Sequence, residues 1–215
     1  DYLENVPMLW YGPGYIEAQP PIERPVTLAG IAPTQGEILD FPFKTIDGQP
    51  MSEAVIAPDA RPVADPPKLL VTMVWDAGGD NTLQAHPSAW PYLKSLIPKG
   101  TYFANATVGS SPTSTAQDHA TIGSGAFPEH HGLVGHHFRI DGKMTSPWNN
   151  GPSFFILPTF ADLYDRAMDN EPVVGLVGTV DIHFGMLGHG SFFGGGDRDI
   201  AVTRSVTGDA TLGAE

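Results

Sequence analysis

The chain has 215 residues, no cysteine, and 24 acidic against 11 basic side chains, which gives a formal net charge of −13. The length is enough for one sizeable domain with a hydrophobic core, and the acidic balance argues against a general nucleic-acid binder, which needs a basic surface. The lack of cysteine excludes disulfides, thiolate catalysis and cysteine-bound zinc, so Asp, Glu, His or hydroxyl oxygen would have to hold any metal.

Two features of the sequence bear on where the protein resides. No apolar run approaches the ~20 residues that a membrane-spanning helix needs, so no membrane span is expected. The chain begins at Asp1 without a methionine, as after the removal of a leader, which favours an extracellular, periplasmic or cell-surface location. A proteolytic fragment would begin in the same way.

Residues 1–56 are predicted to form an N-terminal segment of their own. Residues 6–11 are an extended apolar run that a Gly-Pro-Gly sequence brings to an end. Residues 26–39 are typical of a turn followed by a short helix. Residues 57–67 contain four prolines and are predicted to be a connector.

From residue 68 onward the pattern changes to alternating strands and helices. Residues 69–75 are nearly all apolar, which predicts a strand buried on both faces. Further elements are predicted along the rest of the chain: helices at 88–97, 116–124 and 159–168, a strand at 101–108, a buried strand at 173–177, and a hairpin at 138–144 that turns at Asp141-Gly142. The alternation predicts an α/β fold, with a mainly parallel β-sheet sandwiched between helices, in a domain of residues 68–215.

Asp76 follows directly after the first predicted strand of this domain. In open α/β sheets, ligands collect beyond the carboxyl ends of the strands. A carboxylate at this place, followed closely by Gly78 and Gly79, is suited to hold a cation. The alternative is that Asp76 only caps a turn.

Residues 110–125 place a hydroxyl-rich loop after a strand and before a helix. The start of a helix offers unpaired N–H groups and the positive end of the helix dipole, which phosphate groups bind readily. A hydroxyl there, such as that of Thr115, can attack phosphorus if a metal lowers its pKa. The alternative is that Thr115 is only an N-cap, with Asp118 behind it.

The sequence around these two residues resembles the type I nucleotide pyrophosphatase/phosphodiesterase branch of the alkaline phosphatase superfamily. The resemblance is close over residues 68–140, becomes weaker up to residue 202, and is far longer than a short motif. It is carried, in order, by the strand before Asp76, Pro112-Thr-Ser-Thr115-Ala, His119-Ala-Thr-Ile-Gly-Ser-Gly125 and Phe127-Pro-Glu-His-His-Gly132-Leu-Val-Gly135.

The resemblance implies a metal-dependent hydrolase of phosphodiester or pyrophosphate bonds, with a small phosphoester such as a nucleotide as substrate. Asp76 matches the aspartate that ligates the metal next to the nucleophile. Thr115 matches the threonine that ligates the same metal and forms the covalent intermediate. The family uses two divalent metals, and the likeness suggests zinc. Gly123, Gly125 and Gly132 match turn and packing positions.

One position departs from the family pattern. Where the family usually has an asparagine that binds the phosphoryl oxygen, this chain has His136. An imidazole can donate a hydrogen bond or carry a positive charge, but its reach differs from that of an amide. We hypothesise that His136 contacts the phosphoryl group of the substrate.

The other histidines are predicted to have no catalytic role. His119 matches a family histidine near the nucleophile helix, and a structural or solvated role is expected for His130, His131 and His137. A further group resembles a metal cluster, but residues 173–202 align better with a family segment that holds no metal ligand. That group consists of Asp181, His183, His189, Asp197 and Asp199.

The remaining ligands of the two metals are not found in this chain. In the superfamily they come from Asp and His motifs well downstream of the nucleophile. We therefore expect a fragment of a longer enzyme, which need not be active by itself and whose site the rest of the polypeptide or an oligomer would complete. Residues 6–14 and 26–34 resemble the end of the usual core, so we hypothesise a permuted order in which they add a strand and a helix to the sheet of residues 69–75.

Two other functions stay open on the sequence. The first is a phosphomonoesterase of the same superfamily, because the loops that recognise the leaving group are not defined. A sulfatase is disfavoured, since Thr115-Ala-Gln does not match the Cys/Ser-x-Pro-x-Arg setting of those enzymes. The second is a catalytically incomplete fragment that acts as a binding or structural module.

Overall fold

The computed structural model describes residues 4–146, 154–179, 184–188, 193, 200–204 and 210–213. The chain is of mixed α/β type and divides into two compact units, Asp1–Thr113 and Ser114–Glu215. Within the described residues, no helix has the length and apolar character needed to cross a membrane. The predicted boundaries after residues 56 and 67 stay predictions.

The first unit contains short strands and helices. They are β1 (Met8–Trp10), β2 (Val26–Thr27), α1 (Ile31–Ile38), α2 (Asp80–Ala85), α3 (Pro91–Leu96), β3 (Thr101–Phe103) and β4 (Ala106–Thr107). β1 pairs antiparallel with β3, and β2 pairs parallel with β4. The helix predicted at residues 88–97 is shorter than expected because Pro91, which suits a first helical position, begins it.

The core of the first unit lies around α1. A 3-10 turn, Leu28–Gly30, leads into α1, which confirms the predicted turn and short helix. Thr34 is fully buried, where its hydroxyl donates to the Gly30 carbonyl oxygen at 2.6 Å and accepts from the Met51 N–H at 2.9 Å. The Met51 side chain is also fully buried, so the loop after α1 is fixed to the helix by both packing and hydrogen bonding.

The strand predicted at residues 69–75 is wrong. The segment forms neither helix nor strand, and no ladder among the described residues includes it. Leu69, Val71, Met73 and Trp75 are 77%, 70%, 63% and 42% exposed. An apolar composition favours a buried strand, but a strand also needs a neighbouring segment to complete its hydrogen bonds.

The predicted N-terminal strand and helix both form, but the strand pairs with a different partner from the one predicted. β1 pairs with β3, and residues 69–75 provide no strand for it to join. The predicted sheet that would unite residues 6–11 with residues 69–75 is therefore wrong. The strand pairing that the hypothesis of a permuted order predicts is not seen among the described residues.

The second unit begins with a helix pair and a hairpin. Its elements are α4 (Thr115–Ser124), α5 (Pro128–His131), β5 (Phe138–Ile140), β6 (Lys143–Thr145), α6 (Phe160–Ala167), β7 (Gly175–Gly178), α7 (Phe184–Leu187), β8 (Ile200–Arg204) and β9 (Ala210–Gly213). β5 and β6 form the predicted hairpin, with Asp141 at φ 49° and Gly142 at φ 77°, as a two-residue turn with two positive φ angles requires. β7 pairs parallel with β8, which pairs antiparallel with β9.

The predicted strand at residues 173–177 forms, but it is not buried. It appears as β7, and Val173 and Val177 are 70% and 82% exposed. Across the described residues the sheets contain only two or three strands. The α/β class is confirmed, whereas an extended parallel sheet between helices is not seen in this part of the chain.

The helix predicted at residues 159–168 is confirmed as α6. Thr159 is its N-cap and Asp162 its third residue, and they form a capping box. The Thr159 N–H donates to Asp162 Oδ2 at 2.8 Å, and the Asp162 N–H donates to Thr159 Oγ1 at 3.2 Å. The start of α6 is thus specified by residues next to it in sequence.

Candidate functional site

Thr115 is the first residue of α4. The N-cap is Ser114, in an extended conformation at φ −154° and ψ 147°. The C-cap is Gly125, whose φ of 68° is left-handed and favours glycine. The helix predicted at residues 116–124 is confirmed with a start one residue earlier. The alternative in which Thr115 itself is the N-cap is wrong, because Ser114 has that position.

The N-cap serine leaves the start of α4 without a side-chain cap. Its carbonyl oxygen accepts from the Asp118 N–H at 3.0 Å, but its hydroxyl makes no capping hydrogen bond. The buried Ser114 Oγ has no hydrogen-bond partner among the described residues. The N–H groups in the first turn of α4 are therefore not satisfied by this hydroxyl, and the helix dipole places positive potential at half-buried Thr115.

The position of Thr115 depends on the packing of α4 behind it. Ala116 and Ala120 are fully buried in a cluster whose other buried members are Leu133, Phe155 and Met186. A Cβ atom on Gly123 would lie 2.5 Å from the Met186 carbonyl oxygen, so glycine is needed where α4 meets α7. The predicted packing role of Gly123 is confirmed.

His119 lies one helical turn after Thr115 and contacts its main chain. His119 Nδ1 is 2.8 Å from the Thr115 carbonyl oxygen, and the His119 side chain is buried. Because a carbonyl oxygen only accepts, Nδ1 is the donor. This bond orders the first turn of α4, and the absence of a catalytic role for His119 stays a prediction.

Asp76 lies in a tight turn of the first unit. The Gly78 N–H donates to the Trp75 carbonyl oxygen at 3.0 Å, and Ala77 has a φ of 58°. The Asp76 side chain is exposed to solvent. The turn that the alternative interpretation requires is present, and a role of Asp76 in metal binding stays a prediction.

The start of α2, which follows this turn, is held in place by Asn5 and by Tyr102 of β3. The Asp80 N–H donates to the Asn5 carbonyl oxygen at 3.0 Å, and the Tyr102 hydroxyl donates to Asp80 Oδ1 at 3.3 Å. Burial, followed by the charge of Asp80, raises the pKa of Tyr102 to about 12. The phenol therefore stays a neutral donor at physiological pH and fixes the start of α2.

His136 lies in the second unit, in the loop between α5 and β5, and its side chain is exposed. Thr115 belongs to the same unit, whereas Asp76 belongs to the first. The five residues of the possible later metal cluster, residues 181, 183, 189, 197 and 199, lie outside the described residues.

The donors of Asp76 and Thr115 are chemically suited to a divalent cation. A carboxylate and a hydroxyl both provide hard oxygen atoms, which Mg²⁺, Mn²⁺ and Ca²⁺ accept readily and which zinc accepts together with nitrogen ligands. Two oxygen donors do not select one of these ions. Each donor, taken by itself, therefore suits a divalent ion of this kind without identifying it.

The model of the family described as type I phosphodiesterase / nucleotide pyrophosphatase matches residues 70–206. We find no match to the chain among curated proteins or solved structures. The matched region covers well over half of the 215 residues and includes Asp76, Thr115 and His136. The chain belongs to the type I phosphodiesterase / nucleotide pyrophosphatase family.

Proposed function

We propose that the chain is the nucleophile-bearing part of a hydrolase that cleaves phosphodiester or pyrophosphate bonds in small phosphoesters such as nucleotides. Membership of the family supports this class of reaction. The placement of Thr115 as the first residue of α4 is the observation that carries the proposal, because a helix start can both bind a phosphate group and present a hydroxyl to it.

In the proposed reaction, Thr115 Oγ1 attacks phosphorus. A bond forms between this oxygen and phosphorus, the bond from phosphorus to the leaving oxygen breaks, and the leaving group departs as an alcohol or a phosphate. The proton that Thr115 loses passes through solvent to the leaving oxygen, and the covalent intermediate is a phosphoryl- or nucleotidyl-threonine. Water then attacks its phosphorus, which breaks the bond to Thr115 Oγ1, returns the threonine hydroxyl and releases the second product as a phosphate or a nucleotide. The N–H groups in the first turn of α4 would stabilise the charge on the non-bridging oxygens.

His136 would contact the phosphoryl group in place of the family asparagine. Its exposed side chain can donate one N–H when neutral and two when protonated. A divalent ion held by Asp76 and Thr115 would supply an acid that lowers the pKa of the threonine hydroxyl. By likeness to the family this ion would be zinc, one of two.

Substitution of Thr115 tests the nucleophile. Thr115→Ala removes the attacking oxygen, so turnover of bis(p-nitrophenyl) phosphate should fall by a factor of about 10³ or more. Thr115→Ser keeps a hydroxyl and is the matched control, with partial activity expected. Far-UV circular dichroism should be unchanged in both, and full activity in Thr115→Ala would refute the assignment.

The same purified protein also tests the two alternative functions, a phosphomonoesterase and a binding or structural module. A phosphomonoesterase would hydrolyse p-nitrophenyl phosphate faster than the diester, whereas the proposed function expects the reverse order. A binding or structural module would show no turnover of either substrate and no bound metal. Metal analysis of the purified protein, together with its intact mass, therefore distinguishes an enzyme from a module.

A further inference from the structure

His131 is the last residue of α5, and its side chain is fully buried, at 0% exposure. Its ring meets that of Phe155 edge to face, with the centroids 5.6 Å apart and the planes at 86°. A buried imidazole loses its water, so each ring nitrogen needs a hydrogen-bond partner in the protein. The two nitrogens of His131 have such partners in different parts of the second unit.

The hydrogen bonds of His131 define its tautomer. The Leu133 N–H donates to His131 Nδ1 at 3.1 Å, so Nδ1 carries no hydrogen. A neutral ring then carries its hydrogen on Nε2, which lies 3.2 Å from Thr121 Oγ1. The Thr121 hydroxyl in turn donates to the Gln117 carbonyl oxygen at 3.0 Å. Each donor therefore points the same way along this chain of hydrogen bonds, from the Leu133 N–H through His131 and Thr121 to the Gln117 carbonyl oxygen. Thr121 and Gln117 both belong to α4.

The two ends of this chain of hydrogen bonds lie beside the residues of the proposed reaction. Gln117 is in the first turn of α4, two residues after Thr115, and its side chain is buried. Leu133 begins the loop that carries His136. Beside the packing of Leu133 on α4, His131 thus joins this loop to the nucleophile helix by hydrogen bonds.

The main chain of His131 is also fixed on both sides. Its N–H donates to the Phe127 carbonyl oxygen at 3.0 Å, and its carbonyl oxygen accepts from the Ile156 N–H at 3.2 Å. The next residue, Gly132, has a φ of 86°, and a Cβ there would lie 3.2 Å from the Phe154 carbonyl oxygen. The ring is therefore held by a rigid backbone rather than by its own hydrogen bonds alone.

We infer that His131 is a positioning residue, which sets the helix that begins at Thr115 relative to the loop that carries His136. The inference rests on the proposed function, since the proposed function assigns both of those residues. The role requires a neutral imidazole with hydrogen on Nε2, because only that ring accepts from Leu133 and donates to Thr121 at once.

The tautomer can be tested directly on the full chain by nitrogen NMR of the histidine rings. The expected spectrum at neutral pH shows His131 with hydrogen on Nε2 and a bare Nδ1. A ring with hydrogen on Nδ1, or on both nitrogens, would overturn the inference, because the Leu133 N–H would then face another donor.

Two amide substitutions of His131 test its two side-chain hydrogen bonds separately. His131→Asn can keep the acceptor for the Leu133 N–H but does not reach Thr121, whereas His131→Gln can keep the donor to Thr121 but lacks the acceptor near Cβ. Turnover of bis(p-nitrophenyl) phosphate should fall about 10- to 100-fold in each variant, in kcat rather than KM, since the reacting groups are misplaced and not removed. Rates are corrected for the folded fraction.

Thr121 provides the matched test from the other side of the bond. Thr121→Val removes the hydroxyl at nearly constant volume and should lower kcat as His131→Asn does. Thr121→Ser keeps the hydroxyl and should keep kcat close to that of the parent protein. The double variant of His131→Asn and Thr121→Val should be no slower than either single variant, because both remove the same link. Additive losses would show that the link does not carry the effect.

A measurement that needs no turnover completes the test. The Asp118 N–H, which donates to the Ser114 carbonyl oxygen at 3.0 Å, reports on the first turn of α4. Its hydrogen exchange should become faster in His131→Asn and Thr121→Val but not in Thr121→Ser. Unchanged exchange would reject the positioning role. If instead Thr115→Ala is fully active, the proposed function fails while the exchange result still stands.

Discussion

The sequence predicts a helix for α4 and a strand for residues 69–75. Helix α4 carries Thr115, and residues 69–75 lead to Asp76, so both regions bear on the proposed site. The helix forms from Thr115 to Ser124, one residue longer than expected, whereas residues 69–75 form no strand and expose their apolar side chains. The hydrogen bonds of a helix lie within its own segment, so the buried face of α4 and the glycine at its C-cap specify it locally. A strand depends on a second segment that its own sequence does not identify.

The largest expected difference between the two regions is the effect of truncating a leucine. Leu133 is fully buried in the cluster behind α4, whereas Leu69 is 77% exposed. Leu133→Ala should lower the free energy of unfolding by about 2–5 kcal/mol, because it removes buried contacts and leaves a cavity. Leu69→Ala should change it by less than about 0.5 kcal/mol.

Urea unfolding of both variants checks this comparison. If Leu69→Ala proved as destabilising as Leu133→Ala, residues 69–75 would be buried in solution, and the contrast between the two regions would disappear.

A smaller effect is expected from adding one methyl group to a glycine. A Cβ on Gly123 would lie 2.5 Å from the Met186 carbonyl oxygen, whereas a Cβ on Gly175 in β7 would meet nothing within 4 Å. Gly123→Ala should therefore destabilise the protein by about 1–3 kcal/mol, despite the better helix propensity of alanine. Gly175→Ala is the control and should be near neutral. Equal melting temperatures would contradict the close packing of α4 on α7.

The smallest effect concerns a surface ion pair of the first unit. A hydrogen bond from Arg24 lowers the pKa of Glu53. Since the folded pKa lies below the unfolded one, the contact stabilises the protein above the unfolded pKa, and this gain is lost as the pH falls through the folded pKa. Both side chains are partly exposed, so Arg24→Gln should cost less than about 0.5 kcal/mol at pH 7.

Thermal unfolding at pH 7 and at acidic pH measures this loss. The gap between the parent and Arg24→Gln should close in acid, while a gap that widens in acid would reverse the assigned sign.

The elements that were predicted correctly have their signals close together in sequence. The capping box of Thr159 and Asp162 specifies α6, and Asp141-Gly142 specifies the hairpin turn. The errors concern burial by distant segments, as for residues 69–75 and for Val177 in β7. A pattern of apolar residues shows that a face can be buried, but it does not show what would cover that face.

For the site, sequence placed Thr115 at a helix start correctly. It did not distinguish His131 from the neighbouring His130, and both were expected to be structural or solvated. The difference arises in the fold, because Pro128 begins α5 and so places His131 at the end of the helix, where its ring is fully buried. The partner at Thr121 lies ten residues away on another helix, which no spacing rule would have indicated.

The exposed apolar side chains of residues 69–75 also have a consequence for the behaviour of the protein in solution. An uncharged apolar stretch without proline is the kind of segment that adds to another chain as a β-strand and starts aggregation. Lys68 and Asp76 flank it with charges, and a net charge of −13 keeps the molecules apart by mutual repulsion. Added salt screens that repulsion, so the colloidal stability of this protein should fall as the ionic strength rises.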